Sequence, residues 1–221
     1  FGKVAVTDVN FEKGKDPILK ASQKAVHSYF FARAIQDATP GTGIIAFVTT
    51  TGILDSQSNQ GIRDMMADRT EFLGAIRLPN DSFRGNANTQ VTTDIIFLRK
   101  FGEGEEKKQS HEFQIIKSIQ LKHKDKDQMF NVSYNEYFHN NPEMVLGETA
   151  AFSMYGSSEK SDDITVVPTG INLEEGISKL GDKIFKNKIA ETEQKESEVK
   201  QEIEQFVQNN GQRPGNIVEL P

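Results

Sequence analysis

The chain contains no cysteine. That absence removes disulfide scaffolds, zinc–cysteine sites and thiol catalysis together, and it fits a reducing, cytoplasmic setting. Long apolar runs are missing too, since no stretch approaches the roughly 18 consecutive apolar residues of a membrane span. The opening FGKVAVTDVN lacks the basic-then-apolar pattern of a secretory signal. A GxxxxGKS/T phosphate loop and a GxSxG nucleophile elbow are both absent. No ATPase or hydrolase signature of these kinds is therefore complete within these residues. The four histidines, His27, His111, His123 and His139, have no spacing suited to a metal. His27 falls near the apolar face of a helix, which is the place of a packed residue. The net charge of −6 has the wrong sign for a protein that coats nucleic acid non-specifically, but it leaves room for a local basic patch.

What is present suffices for a core. Of 221 residues, 36% are hydrophobic and 26% charged, a mix that folds. Residues 1–15 read as a polar loop. Asp16-Pro17 reads as a helix start, with Asp as N-cap and Pro at the first helical position. Ala25, Val26, Tyr29, Phe30, Ala34 and Ile35 follow helical spacing and predict one helix up to Thr39-Pro40-Gly41. Residues 43–50, GIIAFVTT, are apolar nearly throughout, as in a parallel strand covered on both faces. A helix over about 59–68 follows, then strands over 72–79 (FLGAIRLP) and 91–100 (VTTDIIFLRK). This alternation predicts an α/β fold with a largely parallel sheet. The last two strands are the exception. The loop between them is too short for a crossover helix, so they are expected to be antiparallel neighbours.

Beyond residue 100 the pattern loosens. Residues 101–110 form a charged linker, and 111–185 an accessory α+β region in which EFQIIKSIQL fits a strand or a helix equally. Residues 131–147 read as a short helix and a turn, and Ile164–Val167 as a strand. The stretch 186–221 reads as a long helix and a tail, with Val199, Ile203, Phe206 and Val207 on one stripe. The run KHKDKDQ (122–128) mixes charge signs and reads as a solvated surface.

Three blocks, taken in order, resemble a known family: KAVHSYFFARAIQDATPGTGIIAFVTTTGILDS, then FLGAIRLPNDSF with VTTDIIFLRK, then YNEYFHNNPEMVLGE. The succession is similar to adenine-specific DNA methyltransferases related to the modification subunits of type I restriction systems. It is closer still to the proteins of bacterial mobile elements in which such a methylase precedes a helicase, and NPEMVLG points to that subgroup. The resemblance covers about residues 1–185. It implies that 1–100 is the C-terminal half of the catalytic domain, a partial Rossmann-like sheet with helices on its faces. Phe1-Gly2 would fall where the family's Asn-Pro-Pro-Phe motif ends. Asn-Pro-Pro and the glycine-rich loop for S-adenosylmethionine would then lie upstream, so that the cofactor belongs to the parent protein and none is expected on this chain.

The family's chemistry needs a base flipped out of the duplex, at a cost of a few kcal/mol. The resemblance gives Phe1 the role of stacking on the flipped adenine. Without the Asn and Pro that polarise the exocyclic amine, no methyl transfer by this chain alone is expected. Lys3, Lys13 and Lys15 either meet phosphates beside that pocket or belong to a solvated loop. Arg77, Asn80, Arg84, Asn86 and Asn88 gather in a loop after a strand, where open α/β sheets bind ligands. They face DNA there, or their Asn and Gly neighbours serve turn geometry. Thr92-Thr93-Asp94 reads as a cap that opens the last strand. The implied partners are DNA, an upstream half-domain, a downstream helicase and, through exposed apolar surface, further copies of the chain. The alternative is a non-catalytic DNA-recognition or protein-interaction module.

Overall fold

A computed structural model of the protein describes residues 5–87, 90–107, 111–152 and 163–210, and for most of 187–210 the backbone alone. The chain is a mixed α/β protein whose sheets are small and antiparallel. In order, the elements are α1 (Val9–Lys13), α2 (Pro17–Ser22), α3 (Val26–Asp37), β1 (Ile44–Thr50), α4 (Gly52–Asp55), α5 (Gln60–Arg69) and β2 (Thr70–Leu78). Then follow α6 (Arg84–Ala87), β3 (Thr93–Lys100), β4 (Ile116–Lys122), β5 (Met129–Asn135), α7 (Glu136–Asn140), β6 (Glu148–Phe152), β7 (Asp163–Val167) and α8 (Leu173–Asn210).

The helix start at Asp16-Pro17 forms as expected. The Asp16 carboxylate accepts from the N–H groups of Ile18 and Leu19. The single helix predicted to follow it is two. Ala25 is extended, with φ −146° and ψ 136°. The cause lies upstream: the Val6 N–H donates to the Gln23 carbonyl at 2.8 Å, and the Gln23 amide donates to Glu12 at 2.8 Å. Residues 5–15, part of the expected polar loop over 1–15, contain the short helix α1, capped by Asp8. They claim the backbone of the α2–α3 junction for themselves.

The first sheet has the order β1-β3-β2, with β3 antiparallel to both neighbours. β2 and β3 are thus the antiparallel pair expected from their short connection. The expectation of a largely parallel sheet is corrected. β1 and β2 do run in the same direction, joined through α4 and α5, but β3 lies between them and pairs with both. Strand order is a long-range choice that local pattern does not carry. A bulge between Phe72 and Gly74, where Gly74 takes φ 153°, bends β2.

Helices and the accessory region cover one face of this sheet. Phe31 of α3 meets Phe47 of β1 with ring centroids 4.6 Å apart. Phe72 of β2 stacks on Phe113 at 4.4 Å and meets Tyr137 of α7 edge-on at 5.0 Å. The Ala75 N–H donates to the Tyr137 hydroxyl at 3.2 Å, and the Leu146 N–H donates to the Arg77 carbonyl at 2.9 Å. The β2 edge is thereby closed. Among the described residues no strand pairs with the other edge, at β1, and there Ile44 and Val48 are half exposed (51% and 54%).

Residues 111–180 fold with the sheet into one body that extends to Leu180. The ambiguous EFQIIKSIQL contains strand β4, and NVSYN, read as part of a helix and turn, is strand β5, paired to it from Ile116↔Asn135 to Lys122↔Met129. β6 and β7 form a second hairpin. From Gly181 the chain forms a second unit. Its helix, the continuation of α8, holds an Asp182–Lys186 pair at 3.3 Å. The side chains of Val199, Ile203, Phe206 and Val207 lie outside the described residues.

Candidate functional site

Three strand ends meet at one place. Thr93 at the start of β3 stands opposite Thr50 at the end of β1 and Leu78 at the end of β2. Open α/β sheets bind ligands beyond the carboxyl ends of their parallel strands, and this is that end for β1 and β2. Asp94 lies one residue inward, between Thr49 and Arg77 in the register.

The centre of this end is a buried ionic cluster. Arg77 and Asp94 are fully buried, and the guanidinium grips the carboxylate at both ends, Nε to Oδ1 at 2.7 Å and Nη2 to Oδ2 at 2.9 Å. Asp55, at the end of α4, sits 2.8 Å from Nη2 of the same arginine. Asp55 Oδ2 is held there as an ion pair, and it and Arg77 Nη1 have no further hydrogen-bond partner among the described residues. The Arg77 guanidinium also lies over the ring of Phe138, 4.1 Å from its centroid. The backbone N–H of Asn135 donates to Asp55 Oδ1 at 2.9 Å, while its side-chain amide donates to the carbonyls of Leu54 and Phe113 at 2.9 and 2.8 Å.

Two carboxylates share one arginine, so the cluster carries one excess negative charge away from water. Burial pushes the Asp55 carboxyl up; Arg77 opposes the shift and Asp94 adds to it, leaving a pKa of about 6. Burial pulls Arg77 down, but Asp55 and Asp94 outweigh it and hold the group above its ordinary value. Burial also raises the Tyr137 hydroxyl, to about 12. A second buried arginine secures the turn after β1: Arg63 Nη1 donates to the carbonyls of Ile53 and Ser56 at 2.9 and 2.8 Å.

The loop between β2 and β3 is bound to the β6–β7 hairpin. Asn80 donates through its side chain to the Thr165 hydroxyl and through its backbone to the Val166 carbonyl, both at 2.9 Å. The Val166 N–H donates to the Thr92 hydroxyl at 2.9 Å. Thr92 therefore anchors β7 as well as opening β3.

The sequence-predicted residues separate accordingly. Arg77 is not available to DNA, since its charge is spent inside the cluster, and the Asn80 amide is occupied by Thr165. Arg84 is exposed on α6, and Lys13 and Lys15 are exposed beside α1 and α2. Asn86 falls within α6 by its backbone, while its side chain lies outside the described residues, as do Phe1, Lys3 and Asn88 entirely. Asp55 and Asn135 were not singled out by sequence. The signal was an arginine inside the apolar strand GAIRLP and an aspartate inside TTDIIF, because buried charges require partners.

Among the described residues no group of three or more acidic or histidine side chains could hold a metal ion, and no helix is long and apolar enough to cross a membrane. No family model matches the chain, and no solved structure matches it. An 80-residue stretch, 36% of the chain, is 30% identical to the "Defense against restriction protein B" of Escherichia phage P1 and covers 4% of that protein. The match thus spans a small fraction of the relative's length.

Proposed function

We propose that this chain is the C-terminal part of a DNA adenine methyltransferase domain, the part that walls the target base and carries surface for the DNA. One observation carries the reading. The three blocks that resemble the family are remote in sequence, yet they supply Asp55, then Arg77 with Asp94, then Asn135 with Phe138 to one buried cluster. We take this convergence as support for one folded unit built from the blocks that resemble the family.

The sheet is compatible with half of a doubly wound fold. β1 and β2 run in the same direction with a helical crossover between them, and doubly wound sheets commonly carry an antiparallel strand near one edge. The covering of β1 on both faces that its sequence suggests is not found, since Ile44 and Val48 are exposed on one face; its bare edge is where further strands would pair. A restriction-related phage relative suits an enzyme that modifies DNA.

The turn after β1 does not fit S-adenosylmethionine by itself. β1 ends at Thr50 and Gly52 already opens α4; a Cβ at Gly52 would meet only side-chain atoms at 3.8 and 3.9 Å, so the turn is not the close glycine cradle of a nucleotide site. On this reading the cofactor is held outside these residues, and no methyl transfer by the chain alone is expected. Phe1 stacks on the flipped adenine in this scheme, and the parent couples the domain to a helicase. The test is N6-methyladenine formation in duplex DNA, read by mass spectrometry, with a protein extended upstream by about 200 residues, roughly one further domain. A folded extended protein that yields no methyladenine contradicts the proposal.

A further inference from the structure

The β4–β5 hairpin has two unlike faces. Val132 and Tyr134 are buried on the inner one. The outer face carries the cross-strand pairs Ser118↔Ser133, Gln120↔Asn131 and Lys122↔Met129. All six are exposed except Ser133, which is half-buried. The centre of this face is an amide pair. Among the described residues neither Gln120 nor Asn131 has a side-chain hydrogen-bond partner, so both amides present a donor and an acceptor to solvent. No acidic residue stands on the outer face of the strands.

Residues 116–136 hold four lysines against Asp125, Asp127 and Glu136, a net of +1 in a chain of −6, and Lys117, on the inner face, pairs with Glu136 at 2.7 Å. Lys122 pairs with Asp127 at 2.9 Å and Lys124 with Asp125 at 3.2 Å across the tip, whereas Lys126 has no acidic partner among the described residues.

We propose that this ribbon reads duplex DNA in the major groove. A two-stranded ribbon fits the roughly 12 Å width of that groove, and Asn or Gln amides match the N6–H donor and N7 acceptor of adenine there. Serine hydroxyls pair with either partner type, and the tip lysines meet phosphates. The outer face has no aromatic ring on which unpaired bases would stack, which sets single strands aside. Double-stranded RNA hides its base edges in a deep, narrow groove. The occupant is therefore B-form DNA, with adenine at the positions that meet Gln120 and Asn131. The inference rests on the reading that the chain works on DNA, and it supplies the sequence preference that reading lacks.

The experiment is selection of sequences from a randomised duplex DNA library by the 221-residue chain, repeated with Gln120→Ala, Asn131→Ala and Lys126→Ala. These side chains are exposed, and circular dichroism verifies that each variant is folded. The wild type should enrich sites with fixed adenines. Each amide variant should lose about tenfold in discrimination at one position. Lys126→Ala should weaken all sequences alike and flatten the salt dependence by about one unit. Enrichment of no sequence, or the same preference after loss of both amides, overturns the proposal. The methyltransferase reading fails separately: an extended protein that selects adenine sites through the ribbon but forms no methyladenine leaves the ribbon standing. Methylation at sites unchanged by the amide variants does the reverse.

Discussion

Arg77 and Asp94 face each other across β2 and β3, joined by two hydrogen bonds of 2.7 and 2.9 Å with both side chains fully out of water. The pair fixes the register of the two strands at the end of the sheet where Asn80 and Thr92 hold β7. It also draws in Asp55, and through Asp55 the backbone of Asn135. A break at this point separates the sheet from the region that follows it.

Arg77→Met leaves Asp55 and Asp94 buried without a cation. Removal of one partner from a buried ion pair costs about 3–5 kcal/mol, so the variant should lose most of its folding free energy in urea titration. Arg77→Lys should fall close behind, since an ammonium cannot span both oxygens of Asp94. Near-wild-type stability of Arg77→Lys would mean that the fork is not what holds the cluster.

The raised Asp55 carboxyl makes stability depend on pH in an uncommon sense. Its folded pKa of about 6 lies above its ordinary value of 3.8, so between those values the native state holds a proton that the unfolded chain has released. Unfolding free energy from this group therefore falls as pH rises from about 4 to 6. Asp55→Asn removes that slope, and its stability relative to wild type should improve steadily across the window. A difference between the two proteins that stays constant with pH would contradict the assignment.

Asn135 serves three segments at once: it donates to Leu54 and Phe113 and accepts from the Tyr137 N–H as the cap of α7. Asn135→Ala leaves two carbonyls without a partner and the helix uncapped. The expected cost is about 2–4 kcal/mol, visible as a lower urea midpoint with an unchanged slope.

Gly147 precedes β6 where no side chain fits. A Cβ there would stand 2.5 Å from the Val167 carbonyl oxygen and 2.6 Å from Val166 Cγ1. Gly147→Ala should push β7 from its place and cost about 1–3 kcal/mol. Hydrogen exchange should rise at the Val166 amide, which Thr92 otherwise holds.

Local chemistry in the sequence located the elements well. The Asp16-Pro17 cap, the three strands of the first sheet and the antiparallel β2–β3 pair all follow from it. The α2–α3 break does not, because helical periodicity runs through Gln23 and only a distant segment explains the bend. Nor does the insertion of β3 between β1 and β2, which is settled by contacts far apart in the chain. At the site, Arg77 was visible as a residue of interest but with its direction wrong. Alternation along GAIRLP puts it on the face shared with Asp94, and that face is covered. Asp55 is hidden because LDS resembles any polar turn, and Asn135 because NVSYNEYF reads as helix and turn.

The central claim is that this chain is one half of a methyltransferase domain whose cofactor site lies upstream. Calorimetric titration of S-adenosylmethionine into the 221-residue chain, and into a folded version extended upstream by about 200 residues, tests it most directly. The account predicts heat of binding from the extended protein and none from the chain alone. Binding by the chain itself, or by neither protein, would contradict it.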